Sequence, residues 1–204
     1  NRSNEAMDVA ELDSRDRTAL IDEIVAGDFY DTEAGKKVSV PYESIVFRET
    51  LDGMEASLVA DLKLGDKLAV VSDESTYDAL GRRVARALGI DDTIVLKSAH
   101  ADMRTVAELS AKLKDYASVI AVGSGTINDL CKYVTAQDGR RYAVFATAAS
   151  MNGYTSTTAS MTLDSGLKVS LPAQAPAGFF VDMSVSAQAP SHLAASGFAD
   201  CIAR

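Results

Sequence analysis

The sequence is short of several things at once. Two cysteines, four prolines and no tryptophan stand among its 204 residues. Cys131 and Cys201 both fall in stretches expected to be helical, which argues against a disulfide framework and for a reducing compartment, the cytoplasm. No apolar run approaches the ~20 residues of a membrane span and no signal-peptide pattern opens the chain, so no membrane partner is expected. The chain begins at Asn1 rather than Met, as a trimmed start would. A basic excess is also missing, the formal net charge being −9. That charge is local: residues 1–66 hold 16 acidic and 7 basic side chains, residues 67–204 hold 13 of each. No basic patch for nucleic acid follows from such a balance. What remains is 47% apolar and 24% charged, enough to bury the core of one large domain or of one and a half small ones.

The apolar pattern supplies the organisation. Residues 1–27 read as a solvated helix, and 36–48 as one or two short strands broken at Pro41. LVADLKLGDK (58–67) suggests a short helix ending at Gly65. A regular beat then begins. LAVVSD (68–73) is a strand, 74–89 a helix stopped by Gly89, TIVLKS (93–98) a strand, and 102–116 a helix with Val106, Leu109 and Leu113 inward. Ser118–Val122 form a buried strand that runs through Gly123, Ser124 and Gly125 into a helix past Tyr133, and YAVFAT (142–147) is a further strand. Strands alternating with amphipathic helices predict an α/β fold, a parallel sheet covered on both faces. After Thr147 come a polar loop (149–158), a β-hairpin turning at Asp164-Ser165-Gly166, a strand FFVDMS (179–184) and a helix from Pro190, with Ser191 as its N-cap. The chain stops inside that apolar helix at Arg204, as a cut chain would.

The stretch VIAVGSGTINDLCKY (119–133) carries the first chemistry. A strand, a glycine turn and a helix N-terminus together suit a phosphate, because glycine admits the anion close to the backbone and the helix's unpaired N–H groups point at it. An ordinary strand–helix turn has the same pattern, and Asn128 stands where the dinucleotide fingerprint has its third glycine.

Four stretches in order, GSGTIND (123–129), TAASMNGYTS (147–156), SMTLDSGLK (160–168) and HLAASGFAD (192–200), are more specific. Together they resemble the superfamily of iron-type alcohol dehydrogenases, glycerol dehydrogenases and dehydroquinate synthases, and within it the glycerol-1-phosphate dehydrogenase family. The resemblance covers roughly residues 65–204. It implies a Rossmann-like nucleotide-binding domain with a β-hairpin over 1–190, and at 191–204 the first helix of an all-helical, metal-binding C-terminal domain. It also implies NAD or NADP, a divalent metal (zinc, nickel or iron), a small polyol-phosphate substrate, and room for a homo-oligomer.

Residue by residue, the resemblance gives the cofactor pyrophosphate to Gly123, Gly125, Thr126, Ile127, Asn128 and Asp129, and further cofactor contacts to Thr147, Ser150 and Ser156. Asp129 has a competing role as a first-turn acid favouring the helix dipole, and beside a pyrophosphate it would bond elsewhere on the cofactor. Asp73, ending its strand, is either a ribose-binding acid or the N-cap of the next helix. Asp200 is implied as metal ligand and as catalytic and substrate-binding residue, although taken alone it is a helix-surface acid. His192 is eight residues away on the same helix, ~12 Å, too far to share one ion, and His100 is a surface loop residue. The missing histidine ligands are therefore expected beyond Arg204. Asn152, implied as substrate-binding and catalytic, departs from the Asp that glycerol-1-phosphate dehydrogenases typically carry there, and asparagine keeps one acceptor but loses the charge. The expected activity is interconversion of sn-glycerol 1-phosphate and dihydroxyacetone phosphate. The alternatives are a dehydroquinate-synthase-like lyase, which wants pocket lysines where this chain has only Lys168 between Ala148 and Asp200, and a non-catalytic nucleotide-binding module.

Overall fold

A computed structural model describes residues 17–203. The chain divides at Val40/Pro41 into two units. In the first, helix α1 (Arg17–Val25) precedes a small hairpin, β1 (Tyr30–Asp31) with β2 (Lys36–Lys37). The expected helix over 1–27 is thus seen over its last part, and residues 1–16 lie outside the described ones.

The second unit is built on β6 (Ser118–Gly123) and β7 (Tyr142–Ala146), in which every residue is buried. Around them β3 (Ser44–Arg48), β4 (Leu68–Asp73), β5 (Ile94–Leu96) and β10 (Gly178–Asp182) complete a six-stranded parallel sheet in the order β3-β10-β7-β6-β4-β5. Successive strand residues point to opposite faces, so the uncharged, β-branched runs feed two cores at once. Val71, Val119, Ala121 and Val144 face Leu109 of α5 (Met103–Lys112) and Ile127 and Leu130 of α6 (Gly125–Asp138). Val70, Ile120, Val122 and Phe145 face Val59 of α2 (Glu55–Asp61) and Val84 of α4 (Arg82–Ala87). The predicted helix 74–89 is continuous but composite: α3 (Glu74–Thr76), a π turn over Tyr77–Gly81, then α4, with Gly89 at φ +66° beyond it.

Beyond β7 the hairpin is β8 (Thr158–Thr162) with β9 (Lys168–Pro172), paired antiparallel about the predicted turn. Two expectations fail here. The strand at 179–184 ends at Asp182, because that carboxylate accepts the Val185 N–H and caps an unforeseen helix, α7 (Met183–Gln188). The last helix, α8 (Ser191–Ile202), has Pro190 and not Ser191 as its N-cap, and no side chain bonds its end.

Asp182 anchors more than α7. Its buried carboxylate also accepts from the Leu51 N–H, the Ser184 hydroxyl and Arg83, whose guanidinium bonds Glu55 as well. Burial alone would raise this carboxyl. The Leu51 N–H, the Ser184 hydroxyl, the Arg83 guanidinium and the Val185 N–H outweigh it and hold the group well below the usual carboxylate range.

Candidate functional site

The chain leaves β4 toward β5 on one side and leaves β6 toward β7 on the other, so the crevice at the carboxyl ends of β4 and β6 is a topological switch point. A cavity of about 240 Å³ lies there, lined by Asp73, Ser124 and Thr147 at the ends of β4, β6 and β7, with Ala189, Pro190 and Leu193 across from them. A second cavity, of about 390 Å³, shares Ser124 and Leu193 with the first. Gly125, Thr126, Asp129, Ser150, Lys168 and Asp200 line it. The two form one cleft that passes the N-terminus of α6.

The glycine turn divides its labour. A Cβ at Gly123 would lie 2.6 Å from the Ile127 Cβ, so this glycine lets α6 cross close to β6. Gly125 opens the helix, and a Cβ there would stand 3.3 Å from Met151 Sδ. Ser124 occupies the N-cap position without making a side-chain cap bond, and Asn128 is the residue whose N–H turns back to the Ser124 carbonyl, at 3.0 Å. The N–H groups ahead of it belong to the first turn, which has no intrahelical acceptors.

The expected contacts separate accordingly. Gly125, Thr126 and Asp129 line the cleft, as do Thr147 and Ser150. Ile127 and Asn128 do not: both are fully buried, Ile127 in the core and Asn128 accepting from the Tyr142 hydroxyl. Their side chains are spent on packing, and since the Asn128 N–H already bonds the Ser124 carbonyl, only Ile127 keeps a first-turn backbone N–H to offer a ligand. Asp73 takes the second of its two expected roles, capping α3 through a capping box with Thr76, and it also lines the cleft. Asp129, raised by burial against the opposing charge of Lys132, accepts the Ser160 N–H at 3.2 Å.

Asp200 and Asn152 are 48 positions apart in sequence and meet in space. The Asn152 N–H donates to Asp200 Oδ2 at 2.9 Å, and its amide Nδ2 donates to the Asp200 carbonyl at 3.0 Å. Gly197 makes the approach feasible, since a Cβ there would fall 2.1 Å from the Ala149 carbonyl oxygen. Gly197 is the one buried residue of α8, so this helix docks on the 149–152 loop through a narrow contact. Asn152 thereby orients the Asp200 carboxylate at the rim of the second cavity.

Ser156 departs from its expected place. Its hydroxyl accepts from Lys132 and bonds the Gly153 and Thr158 carbonyls, so it lies inside the loop and not on either cavity wall. Three residues had no role in the expected dinucleotide site: Ser124, Lys168, weighed only as a pocket lysine of the lyase alternative, and Lys132. The first two stood within the quoted motifs as a turn residue and a strand end. Lys132 had a usable signal, a lysine three positions after Asp129, on the same face of α6.

The cleft fits a dinucleotide in its position and in its lining of small residues, hydroxyls and a helix N-terminus. It does not by itself fit a metal: among the described residues no group of three His, Cys, Asp or Glu side chains stands close enough to hold an ion. His192, exposed on α8, does not change that.

A parallel sheet with helices on both faces and a cleft at its switch point defines a Rossmann-like α/β protein of the nucleotide-binding type. More narrowly, residues 46–190 match the iron-containing alcohol dehydrogenases, and the chain belongs to that family. It is 31% identical over 185 residues to the glycerol-1-phosphate dehydrogenase [NAD(P)+] of Bacillus velezensis, covering 86% of this chain and 46% of that protein. Against the enzyme of the same name from Methanoregula boonei the identity is 32% over 171 residues, covering 83% and 47%. The chain thus spans about half the length of the curated relatives it matches. In fold it is similar to an iron-containing alcohol dehydrogenase of Thermotoga maritima (TM-score 0.66, 16% identity, 80% of this chain and 52% of that one). It is likewise similar to glycerol dehydrogenase of Schizosaccharomyces pombe (TM-score 0.65, 19% identity, 80% and 43%).

Proposed function

We propose that this chain is the cofactor-binding part of an NAD(P)-dependent, metal-assisted oxidoreductase that interconverts sn-glycerol 1-phosphate and dihydroxyacetone phosphate in the cytoplasm. Residues 1–190 serve as the dinucleotide-binding domain and 191–204 as the first helix of a metal-binding helical domain. The observation that carries the reading is the pairing of Asp200 with Asn152 on the cavity onto which the N-terminus of α6 opens. It supports the reading because Asp200 lines the same cavity as Gly125 and Thr126.

In this reading the N–H groups at the start of α6 and the hydroxyls of Ser124 and Thr126 receive the pyrophosphate. Thr147 and Ser150 flank it, and Asp73 bonds ribose hydroxyls. Asp200 is one ligand of a zinc, nickel or iron ion, and its partners are assigned to the part of the relatives' length that this chain does not span. A bound divalent ion would supply Lewis acidity toward the substrate carbonyl, and a bound reduced nicotinamide would supply the hydride. Asn152 holds the Asp200 carboxylate in place through its N–H. A lyase of the dehydroquinate synthase kind is less well supported, because Lys168 is the one lysine lining the cleft and Lys132 is committed to the loop.

Calorimetry with NADH and NADPH is the test on this chain. Binding is expected for the wild type and is lost in Gly125→Val, whose branched side chain would meet Met151 and fill the turn. In a protein extended to its relatives' length, NADH oxidation with dihydroxyacetone phosphate and metal retention after dialysis should both disappear on Asp200→Ala. Full activity in that variant would end the case for Asp200.

A further inference from the structure

Lys132 is a lysine with no exposed surface at all. It sits in the second turn of α6, and no carboxylate pairs with it directly among the described ion pairs. Its ammonium instead spends three donors on one loop: the Gly153 carbonyl at 2.6 Å, the Ser156 hydroxyl at 3.1 Å and the Thr158 carbonyl at 3.1 Å. Three donors meeting three acceptors from one six-residue segment is a closed hydrogen-bond set. That segment joins the end of β7 to β8 and continues the stretch that carries Ser150 and Asn152. One helix turn away, Asp129 binds the Ser160 N–H at the start of the same hairpin. Removing Lys132 would take its donor from the Gly153 and Thr158 carbonyls, and removing Asp129 would take the acceptor from the Ser160 N–H.

We infer that Lys132 is a positioning residue that fastens the 153–158 loop to the dinucleotide-facing end of α6, so that the cofactor side and the Asn152–Asp200 side of the cleft are held as one piece. The inference rests on the proposed use of the cleft for a dinucleotide. Lys132 touches neither cavity, and acts through the loop.

A pH signature separates this role from plain packing. Burial pulls the closed-state Lys132 down to about 8 from its ordinary 10.5, the Asp129 carboxylate opposing. With the loop open the amine returns to water and toward its ordinary value. Between those limits the closed state binds fewer protons than the open one, so raising the pH above about 8 favours closure. Below about 8 both states are protonated and the closing equilibrium is flat. Other titratable groups on the elements around α6 are Asp73 on β4, Tyr142 on β7, Tyr154 in the loop, Lys168 on β9 and Arg104, Glu108 and Lys112 on α5; β6 and β8 carry none. Tyr154 is pushed up to about 12 and Tyr142 well above its ordinary value, outside the window.

The experiment is hydrogen–deuterium exchange, read as protection factors, with NADH affinity measured alongside, on the full chain as wild type, Lys132→Met and Ser156→Ala. In Lys132→Met the amides of 153–158 should lose about tenfold or more of their protection and NADH affinity should fall by a similar factor, with β6 and β7 unchanged. Ser156→Ala, which removes one acceptor without emptying the core, should show the same pattern at roughly two- to fivefold, and decides the matter if Lys132→Met does not fold. In the wild type, loop protection should climb by up to about tenfold per pH unit above about 8, and Lys132→Met should show no such climb. Unchanged loop protection in both variants, or a wild-type pH profile shared by Lys132→Met, overturns the positioning role. A freed loop with undiminished NADH affinity overturns the coupling to the cofactor side. If the wild type binds neither NADH nor NADPH, it is the dinucleotide reading that fails, and the exchange data still judge the clamp.

Discussion

Gly197→Ala tests the docking of α8 most directly, because the ordinary rule and this structure predict opposite signs. Alanine in place of glycine inside an exposed helix gains about 1 kcal/mol. Here the added Cβ would lie 2.1 Å from the Ala149 carbonyl oxygen, 2.9 Å from the Ala149 carbonyl carbon and 3.1 Å from that of Ser150. An ordinary C···O contact is ~3.3 Å, so loop and helix must part by about 1 Å. The obstructing atoms are backbone, and no rotamer change relieves them. Overpacking of this kind costs about 1–3 kcal/mol. A separation of about 1 Å also takes both Asn152–Asp200 bonds out of range, at about 0.5–1.5 kcal/mol each. Set against the helix-propensity gain, the net is about 1–5 kcal/mol against docking. The sheet does not depend on this contact: Gly197 is the one buried residue of α8, while Phe198 and Ile202 are 69% and 67% exposed. The helix should therefore detach while the rest stays folded. Hydrogen exchange should show amides of 193–202 losing about fivefold or more in protection, with the denaturation midpoint of the whole chain nearly unmoved. Equal protection in α8 for the two proteins would refute the close approach and, with it, the placement of Asp200.

Two further outcomes follow from named contacts. Asp182→Asn should destabilise the chain by about 2–4 kcal/mol in urea denaturation, since the amide keeps one acceptor oxygen for Val185 but loses the charge that pairs with Arg83 and the oxygen that accepts the Leu51 N–H. Because the folded-state Asp182 lies below its unfolded value, its contribution is present above the unfolded carboxylate pKa and is lost as pH falls through the folded one, so the variant should have a flatter stability profile in acid; an identical acid limb would count against this network. Asn152→Asp keeps the N–H bond to Asp200 Oδ2 but cannot donate to the Asp200 carbonyl, so it should loosen α8 by about 1–2 kcal/mol, seen as faster exchange in 193–202, with NADH affinity unaltered. A variant with wild-type exchange would show that the amide does not staple the loop to the helix.

Much of the layout was legible because the relevant signals are local. The uncharged runs at 68–72, 118–123 and 142–146 read as strands covered on both faces, and the helices between them carried their apolar residues at helical spacing. The hairpin turn at 164–166 was readable for the same reason. Misreadings fell where one side chain serves two elements. Asp182 ends a strand and caps a helix, which the strand-like run FFVDMS conceals. Asn128 and Ser156 stood in motif positions expected to touch a cofactor, but their polar atoms face Tyr142 and Lys132.

The alternation of strands and helices from β4 to β7, the glycine turn at the head of α6 and the family were determined by the sequence alone, because each is written in neighbouring residues or in motifs that keep their spacing. The tertiary structure alone decided that Asp200 and Asn152 bond each other across 48 positions, that Gly197 rather than a charge brings α8 to the loop, and that Lys132 is buried under three acceptors. The physical reason is common to all three. A hydrogen bond or a 2 Å clearance depends on how two separately formed surfaces meet, and that meeting is set by the packing of the whole sheet and has no period in the chain.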